Sequence, residues 1–535
     1  MSADVIRTPR RVAPTFVAAV LAAAYLLIGP KGADLPAQLL RARLFGAAGL
    51  SIWNNWWYGG HYLLSYSVLF GPLAWLTTPR LVAALASVVT AAAFEALAYG
   101  VYGEDAWLGA TWLGAATVVE LISGRLTFAL GLCGVALTAL ALQRRSAGWL
   151  AVAAAFLTAL ASPVAALFAA LAGMAAALTG TDGPRRRAGG AVVLASLAPV
   201  AALSIAFPQS GSQPFAFSVL WPVLAACAFI LRVSRQHKPD ASRGERALGV
   251  GVVLYAAGCL LAYLVHTPVG ANAARLGELL AGPLAALILI PRRRYALLAI
   301  AALPLTYIQV HDAISDVQHG TTPADSAAYY RPLINYLRRQ PGAAGHAFRV
   351  EVPFTQGHWE AYYLAPEFPL ARGWERQTDI ADNPIFYRGT LTASSYERWL
   401  HELAVRYVAV ADTAPDYSAR AELALIGRGL PYLRLVARLA HWRVYAVAKP
   451  TPIVSGVAAL EDLGPSSLAL RVFRPGAAYV RVRWSPYWRL RGVSGCVAPA
   501  GPFTRISARS SGTARLTMDL SVTRIGARSP RCTTV

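Results

Sequence analysis

Residues 32–62 read GADLPAQLLRARLFGAAGLSIWNNWWYGGHY and follow the first long apolar run of the chain. Asp34 is the only acidic residue between Asp4 and Glu95, so a single carboxylate marks the end of that run. Leu35, Leu39, Leu40 and Leu44 recur at helical spacing while Arg41 and Arg43 fall elsewhere, which predicts a helix lying along a membrane interface. Pro36 suits its first turn. Trp53, Trp56, Trp57 and Tyr58 then fit the headgroup level, and Gly59 with Gly60 permits a tight turn into the next run. An aromatic belt without chemistry accommodates the same residues, so the segment alone leaves both readings open.

Outward from this stretch, apolar runs of spanning length recur at 15–30, 62–77, 81–99, 107–122, 126–142, 148–161, 163–179, 189–206, 217–231, 247–265, 276–290 and 295–310. After about residue 311 they stop. With 56% hydrophobic and 14% charged residues in 535, the chain is too apolar for an ordinary soluble protein. Arg7, Arg10 and Arg11 precede the first run, and the many runs behind it favour an uncleaved signal anchor over a cleaved signal peptide.

The formal charge of +22 does not imply nucleic acid. In the first half the arginines cluster between apolar runs, at Arg144 and Arg145, Arg185 to Arg187, Arg232 to Arg246 and Arg292 to Arg294, which is the positive-inside pattern. This predicts a multi-pass protein of the plasma membrane with a cytoplasmic N-terminus and an extracytoplasmic region from 311 onward. Twelve full crossings would end on the starting side, so one early run must fail to cross. The run 107–122, which carries Glu120, is expected to be the re-entrant one.

Under that topology Asp34, His61, Glu104, Asp105, Arg125, His266, Arg275 and Glu278 gather at the outer face. Ionisable residues at a membrane boundary point to function, although each can also decorate a solvated loop. Of the five cysteines, Cys133, Cys227 and Cys259 lie in apolar runs as packing residues, and Cys496 and Cys532 lie where an oxidising exterior permits a disulfide. No cysteine and histidine spacing suggests zinc.

One span, then a loop with an Asp near its start, a juxtamembrane helix and a W..WYGG turn resembles the amino-terminal module of the GT-C superfamily of polytopic glycosyltransferases. It is similar as well to bacterial membrane proteins labelled 6-pyruvoyl-tetrahydropterin synthase-related, although no soluble pterin enzyme is visible in the chain. The resemblance covers residues 1 to about 310 and implies a GT-C-like module of about 11–13 spans. It further implies that a first-loop carboxylate deprotonates an acceptor hydroxyl while a polyprenyl-phosphate-linked sugar is the donor. Asp34 matches that carboxylate, and one ionised base suffices for an inverting displacement. Glu104 and Asp105 match a second acidic loop, where they would assist or hold a divalent cation through oxygen ligands. A leaving lipid phosphate needs fixed positive charge, for which Arg275 and Arg125 are the candidates; pairing with Glu278 or Glu120 is the competing reading. Trp57, Tyr58, His61 and His266 would shape the entrance and orient substrate, or serve as structural residues.

Around residue 320 the pattern changes. YERWLHELAVRYVAVAD reads as a helix with Tyr396, Trp399, Leu400 and Leu403 on one face, followed by the strand VRYVAVA; HWRVYAV is another strand. An extracytoplasmic α/β domain is expected over 311–450 and a small β-sandwich over 451–535, behind the membrane module of 1–310. The stretch GHWEAYYLAPEFPLARGWERQTDIADNPIFY is rich in aromatic and charged residues. His358, Trp359, Glu360, Trp374, Arg376 and Asp379 are candidates for binding carbohydrate, with packing inside the protein as the alternative. No catalytic triad, phosphate loop or Rossmann glycine pattern occurs.

The expected function is transfer of a sugar from a polyprenyl-phosphate donor to a cell-envelope glycan, lipid or protein. A flippase for lipid-linked precursors is the first competitor. Against it, the ionisable residues gather at one face and no inverted repeat is visible. A non-catalytic scaffold is the second competitor.

Overall fold

Apolar segments that open on Thr-Pro or Ser-Pro pairs fold as helices, because the hydroxyl caps a free N–H and proline supplies the first-turn dihedral. In a computed structural model describing residues 9–144, 148–209, 211–235 and 242–533, Thr78 accepts from the Leu81 amide ahead of Pro79, and Ser162 from the Ala165 amide ahead of Pro163. Arg7, Arg145 and residues 236–241 lie outside the described residues.

The chain divides into two compact units. A helical unit comprises Met1–Gln38, Tyr66–Ala202 and Ser212–Gln318; a mixed unit comprises Leu39–Ser65, Leu203–Gly211 and His319–Val535. The helices are α1 (Pro9–Ile28), α2 (Leu35–Ala48), α3 (Phe70–Leu76), α4 (Pro79–Tyr102), α5 (Trp107–Ile122), α6 (Leu126–Gln143), α7 (Gly148–Ala161), α8 (Pro163–Thr179), α9 (Gly183–Ala206), α10 (Phe217–Arg235), α11 (Arg243–Leu264), α12 (Arg275–Leu289) and α13 (Tyr295–Gly320). Within the helical unit α5 packs on α1, α4 and α12, and α6 on α4, α7 and α8.

Among the described residues seven helical stretches are long and apolar enough to cross a membrane, the first being α4 and α5 in series, and α1, α7 and α8 are shorter apolar helices. The protein is a multi-pass membrane protein. Two expectations change. The run 107–122 is one continuous helix, α5, and the run that fails is 62–77. There Ser65 and Ser67 keep the chain irregular, the amides of Val68 and Leu69 both bond the Leu160 carbonyl, and α3 has only seven residues. Seven residues rise about 10 Å, a third of a bilayer core.

In the mixed unit the strands are β1 (Trp53–Asn54), β2 (His61–Tyr62), β3 (Arg349–Glu351), β4 (Val405–Ala411), β5 (Leu433–Arg438), β6 (Trp442–Val447), β7 (Val454–Gly456), β8 (Ala458–Leu463), β9 (Ser467–Val472), β10 (Gly476–Arg483), β11 (Trp488–Arg491), β12 (Gly495–Ala500), β13 (Phe503–Ala508), β14 (Gly512–Met518) and β15 (Arg531–Thr533). One sheet has the order β3-β4-β6-β5, with β3 parallel to β4 and the other pairs antiparallel. The helix Ala393–Glu402 buries Tyr396, Trp399 and Leu400, and the strand after it coincides with VRYVAVA. Two further sheets, β15-β12-β13-β10-β7 and β11-β14-β9-β8, enclose a core of Val480, Trp488, Leu490, Val497 and Leu516. Cys496 faces Cys532 across β12 and β15, and the two form a disulfide.

The opening stretch departs from its expected place at the headgroup level. Trp53 and Tyr62 belong to the core of the two-sheet region, and Trp53, Trp56, Trp57 and Tyr58 are all buried. Gly60 has φ +115°, and a Cβ there would stand 2.4 Å from the Trp53 ring, so only glycine closes this turn.

Candidate active site

Two glycines set Asp34 in place. A Cβ on Gly32 would lie 2.2 Å from the Ile122 carbonyl oxygen, and one on Gly124, at φ +79°, would lie 2.5 Å from the Leu35 nitrogen. The loop before α2 therefore lies directly on the turn between α5 and α6, where the Asp34 amide donates to the Ser123 carbonyl at 3.2 Å. Arg275 opens α12. Its helix start is fixed by Tyr255, whose hydroxyl accepts from the Gly277 amide at 2.8 Å and lies 2.7 Å from the Ala273 carbonyl.

The Arg275 guanidinium stands 3.9 Å from the Asp34 carboxylate and 5.3 Å from the Phe128 ring centre. At 3.9 Å the pair attracts without a hydrogen bond, so both groups keep donors and lone pairs for a ligand. Asp34 is 34% exposed and Arg275 18%. Arg125, 12% exposed, reaches Asp312 and Asp316 of α13, each at 3.5 Å. Electrostatic interactions tie Glu120, Glu278 and Asp34 to the same group. Glu120 is buried, with its Oε2 lacking a hydrogen-bond partner. Gln309 holds α13 in register, accepting from Trp112 Nε1 at 2.9 Å and donating to the Leu279 carbonyl at 2.8 Å.

The ends of α1, α5, α12 and α13 and the start of α6 thus bring together Asp34, Glu120, Arg125, Arg275, Glu278, Asp312 and Asp316. Asp312 and Asp316 were missed in the sequence reading, although their i, i+4 spacing aims both at one partner. His266 lies in the exposed loop between α11 and α12.

Several candidates are not brought to this cluster. Glu104 and Asp105 occupy the turn before α5, whereas Asp34 sits at its far end; sixteen residues of helix separate the two by about 24 Å. They are exposed at the opposite end of the helical unit and cannot share a substrate with Asp34. Among the described residues no group of three or more His, Cys, Asp or Glu side chains is arranged to hold a metal ion.

The aromatic and histidine candidates are interior residues of the mixed unit. His61 accepts from the Asn54 side-chain amide at 3.0 Å, stacks on Trp57 and lies 3.8 Å from Glu375. Burial pushes its imidazole below the ordinary histidine value. Glu375 is held by Arg41 at 2.7 Å, and the Tyr58 hydroxyl donates to the Gly373 carbonyl while accepting from the Glu375 amide.

The second candidate group is also buried and tightly paired, although Arg372 Nη1, His358 Nδ1 and both carboxylate oxygens of Glu351 have no hydrogen-bond partner among the described residues. Asp379 takes both arms of Arg372, whose guanidinium lies between the rings of Phe354 (3.9 Å) and Phe386 (4.1 Å). Asp416 takes both arms of Arg376 and faces His358 at 3.6 Å, and His358 stacks on Trp374 at 3.5 Å. Glu360 accepts from Thr355, and Trp359 donates to the Gly320 carbonyl. Burial pushes Glu360 up to about 7 and His358 below its ordinary value. Burial and the adjacent Glu422 carboxylate push Glu351 well above the usual carboxylate range. Apart from the half-buried Trp374 and Arg376, these side chains present no surface to a sugar.

No family model matches the chain, and no curated protein matches it. Among solved structures it is similar to the crystal structure of the Archaeoglobus fulgidus oligosaccharyltransferase complexed with Zn and sulfate, at 13% identity and a TM-score of 0.47, over 82% of this chain and 73% of that one. It is also similar to the archaeal oligosaccharyltransferase AglB from Archaeoglobus fulgidus in complex with an inhibitory peptide and a dolichol-phosphate, at 13% identity and a TM-score of 0.38, over 76% of this chain and 70% of that one.

Proposed function

We propose that the protein is a membrane glycosyltransferase of the GT-C type that moves a sugar from a polyprenyl-phosphate donor to an acceptor hydroxyl of the cell envelope. The observation that carries this reading is the Asp34–Arg275 pair: a part-exposed carboxylate and a part-exposed guanidinium, 3.9 Å apart, at the boundary of a helical membrane unit. Asp34 takes the acceptor proton as the acceptor oxygen attacks the anomeric carbon. The bond from that carbon to the lipid phosphate breaks, its electron pair leaves on the phosphate, and Arg275 meets the developing charge. One base and one displacement give inversion.

The helix count supports an extracytoplasmic location for this pair. Eleven apolar helices, α1 and α4 to α13, are odd in number. With the basic N-terminus in the cytoplasm, alternate crossing places Arg144, Arg185 to Arg187, Arg243, Arg246 and Arg292 to Arg294 inside, and Asp34, Arg125 and Arg275 outside. The test is transfer by purified protein in lipid from a panel of polyprenyl-phosphate sugars to envelope acceptors. Transfer is expected, with a donor requirement that weakens in Arg275→Ala. Movement of the donor across the vesicle without transfer would replace this reading with a flippase.

A further inference from the structure

The helical unit contains a cavity of about 1000 Å³ that is not part of the Asp34 cluster. Its walls are apolar side chains of α4, α6, α8, α11 and α12, among them Leu132, Phe168 and Leu280, and it extends as far as Gly277. Its mouth lies at the C-terminal ends of α6 and α8 and the N-terminal ends of α9 and α11, where Arg144, Arg185 and Arg243 line it. The eighteen residues of α6 set this mouth about 27 Å from Arg125.

Charge at the mouth is unbalanced. Among the described lining residues Asp182 is the only carboxylate, and it stands 3.8 Å from Arg185. Arg185 Nη1 is buried with no hydrogen-bond acceptor. Among the described residues Arg243 reaches a hydroxyl, Thr181 Oγ1, at 3.3 Å. Guanidinium groups with a donor left over call for an anion with several oxygens, and an apolar shaft within a bilayer calls for hydrocarbon.

We propose that this cavity binds an anionic phospholipid, its phosphate among Arg144, Arg185 and Arg243 and an acyl chain along the shaft toward α12. The inference does not depend on the sugar-transfer reading. In the topology proposed above, the mouth opens to the cytoplasmic leaflet, where anionic headgroups concentrate.

Full-length protein is purified, exchanged into mixed micelles holding equal phosphatidylglycerol and phosphatidylcholine, and the retained lipid is quantified by mass spectrometry. About one phosphatidylglycerol per chain is expected to remain, selected about tenfold or more over phosphatidylcholine. Replacing Arg144, Arg185 and Arg243 together by Ala removes the selectivity. Gly251→Leu fills the shaft, since a Cβ at that position meets only Ala175, at 3.9 Å, and lowers retention of both lipids while leaving the arginines in place. Thermal stabilisation of the full chain by phosphatidylglycerol but not by inorganic phosphate at equal concentration identifies the lipid as the ligand. Equal retention of the two lipids by the wild type, unchanged retention in Gly251→Leu, or stabilisation by inorganic phosphate alone would overturn the proposal.

Discussion

Two clusters in this molecule use the same residue types to different ends. In the mixed unit, Arg372, Arg376, Asp379, Asp416, Glu351, Glu360 and Glu422 are buried or nearly so, and most hold short, directional bonds. In the helical unit, Asp34, Arg275, Asp312 and Asp316 are part-exposed, and the ion pairs Asp34–Arg275, Arg125–Asp312 and Arg125–Asp316 are 3.5–3.9 Å long. A dry network built on short, bidentate ion pairs fixes structure because losing one member strands a buried charge; a longer-range, wetter one keeps valences for a ligand. Richness in charge and aromatics therefore says little about function until exposure and pairing geometry are known.

Substitution should separate the clusters, most severely at Arg372. Arg372→Ala leaves Asp379 and Glu422 buried without their cation and opens a gap between Phe354 and Phe386. It should cost about 3–5 kcal/mol and show as lost yield or an early transition in thermal unfolding of the full chain. An unchanged melt would mean that the mixed-unit network is not structural.

Removing the Cys496–Cys532 disulfide by a double change to Ser should cost about 2–4 kcal/mol, because the bond closes a loop of 36 residues in the unfolded chain. The same melt reads it, and it should leave sugar transfer intact below the transition.

A smaller effect is expected from pH. Glu360 is raised from 4.5 to about 7 by burial, so the unfolded chain gives up this proton first, and the folded state loses stability as pH rises from about 4.5 to 7. Glu360→Gln removes that term. Its melting temperature relative to wild type should climb across the same window. His358, lowered by burial, works in the opposite sense, its contribution being lost as pH falls below 6.5. Because it is present in both proteins, it largely cancels in the difference. A difference that stays flat with pH would break the assignment of Glu360 as a dry carboxylate.

The smallest effect belongs to Glu104 and Asp105. They are exposed and sit at the far end of α5 from Asp34. Glu104→Gln with Asp105→Asn should change stability by less than about 0.5 kcal/mol and leave transfer untouched. A loss of transfer would show that the cluster around Asp34 is not the whole site.

Much of the fold was legible because periodicity reports burial. Tyr396, Trp399 and Leu400 share a helical face, and VRYVAVA is a short, Val-rich run buried at four consecutive positions, as an inner strand is. The run 62–77 misled because hydropathy averages over the irregular segment 63–69, and the helix begins only at Phe70. Glu120 drew suspicion to 107–122, yet α5 carries it beside Arg125 without breaking. The aromatic cluster read as a belt because tryptophan suits both a headgroup layer and a core. Its neighbour Asn55 held the clue: it accepts from Trp53 Nε1 at 2.8 Å and donates to the Gly464 carbonyl at 2.9 Å, a pairing suited to an interior. Of the site, Asp34 and Arg275 were each legible as boundary charges. Their meeting was not, since it depends on the packing of helices far apart in sequence.

The central claim rests on Asp34, and the most direct measurement compares wild type with Asp34→Asn for sugar transfer in lipid, from polyprenyl-phosphate sugars to envelope acceptors, alongside the melt of each protein. The account predicts transfer by the wild type and a loss of at least about a hundredfold in the variant, with melting temperatures that agree. Equal transfer by both proteins, or none by either while the donor still binds, would contradict it and leave Asp34 as a loop residue that positions the turn between α5 and α6.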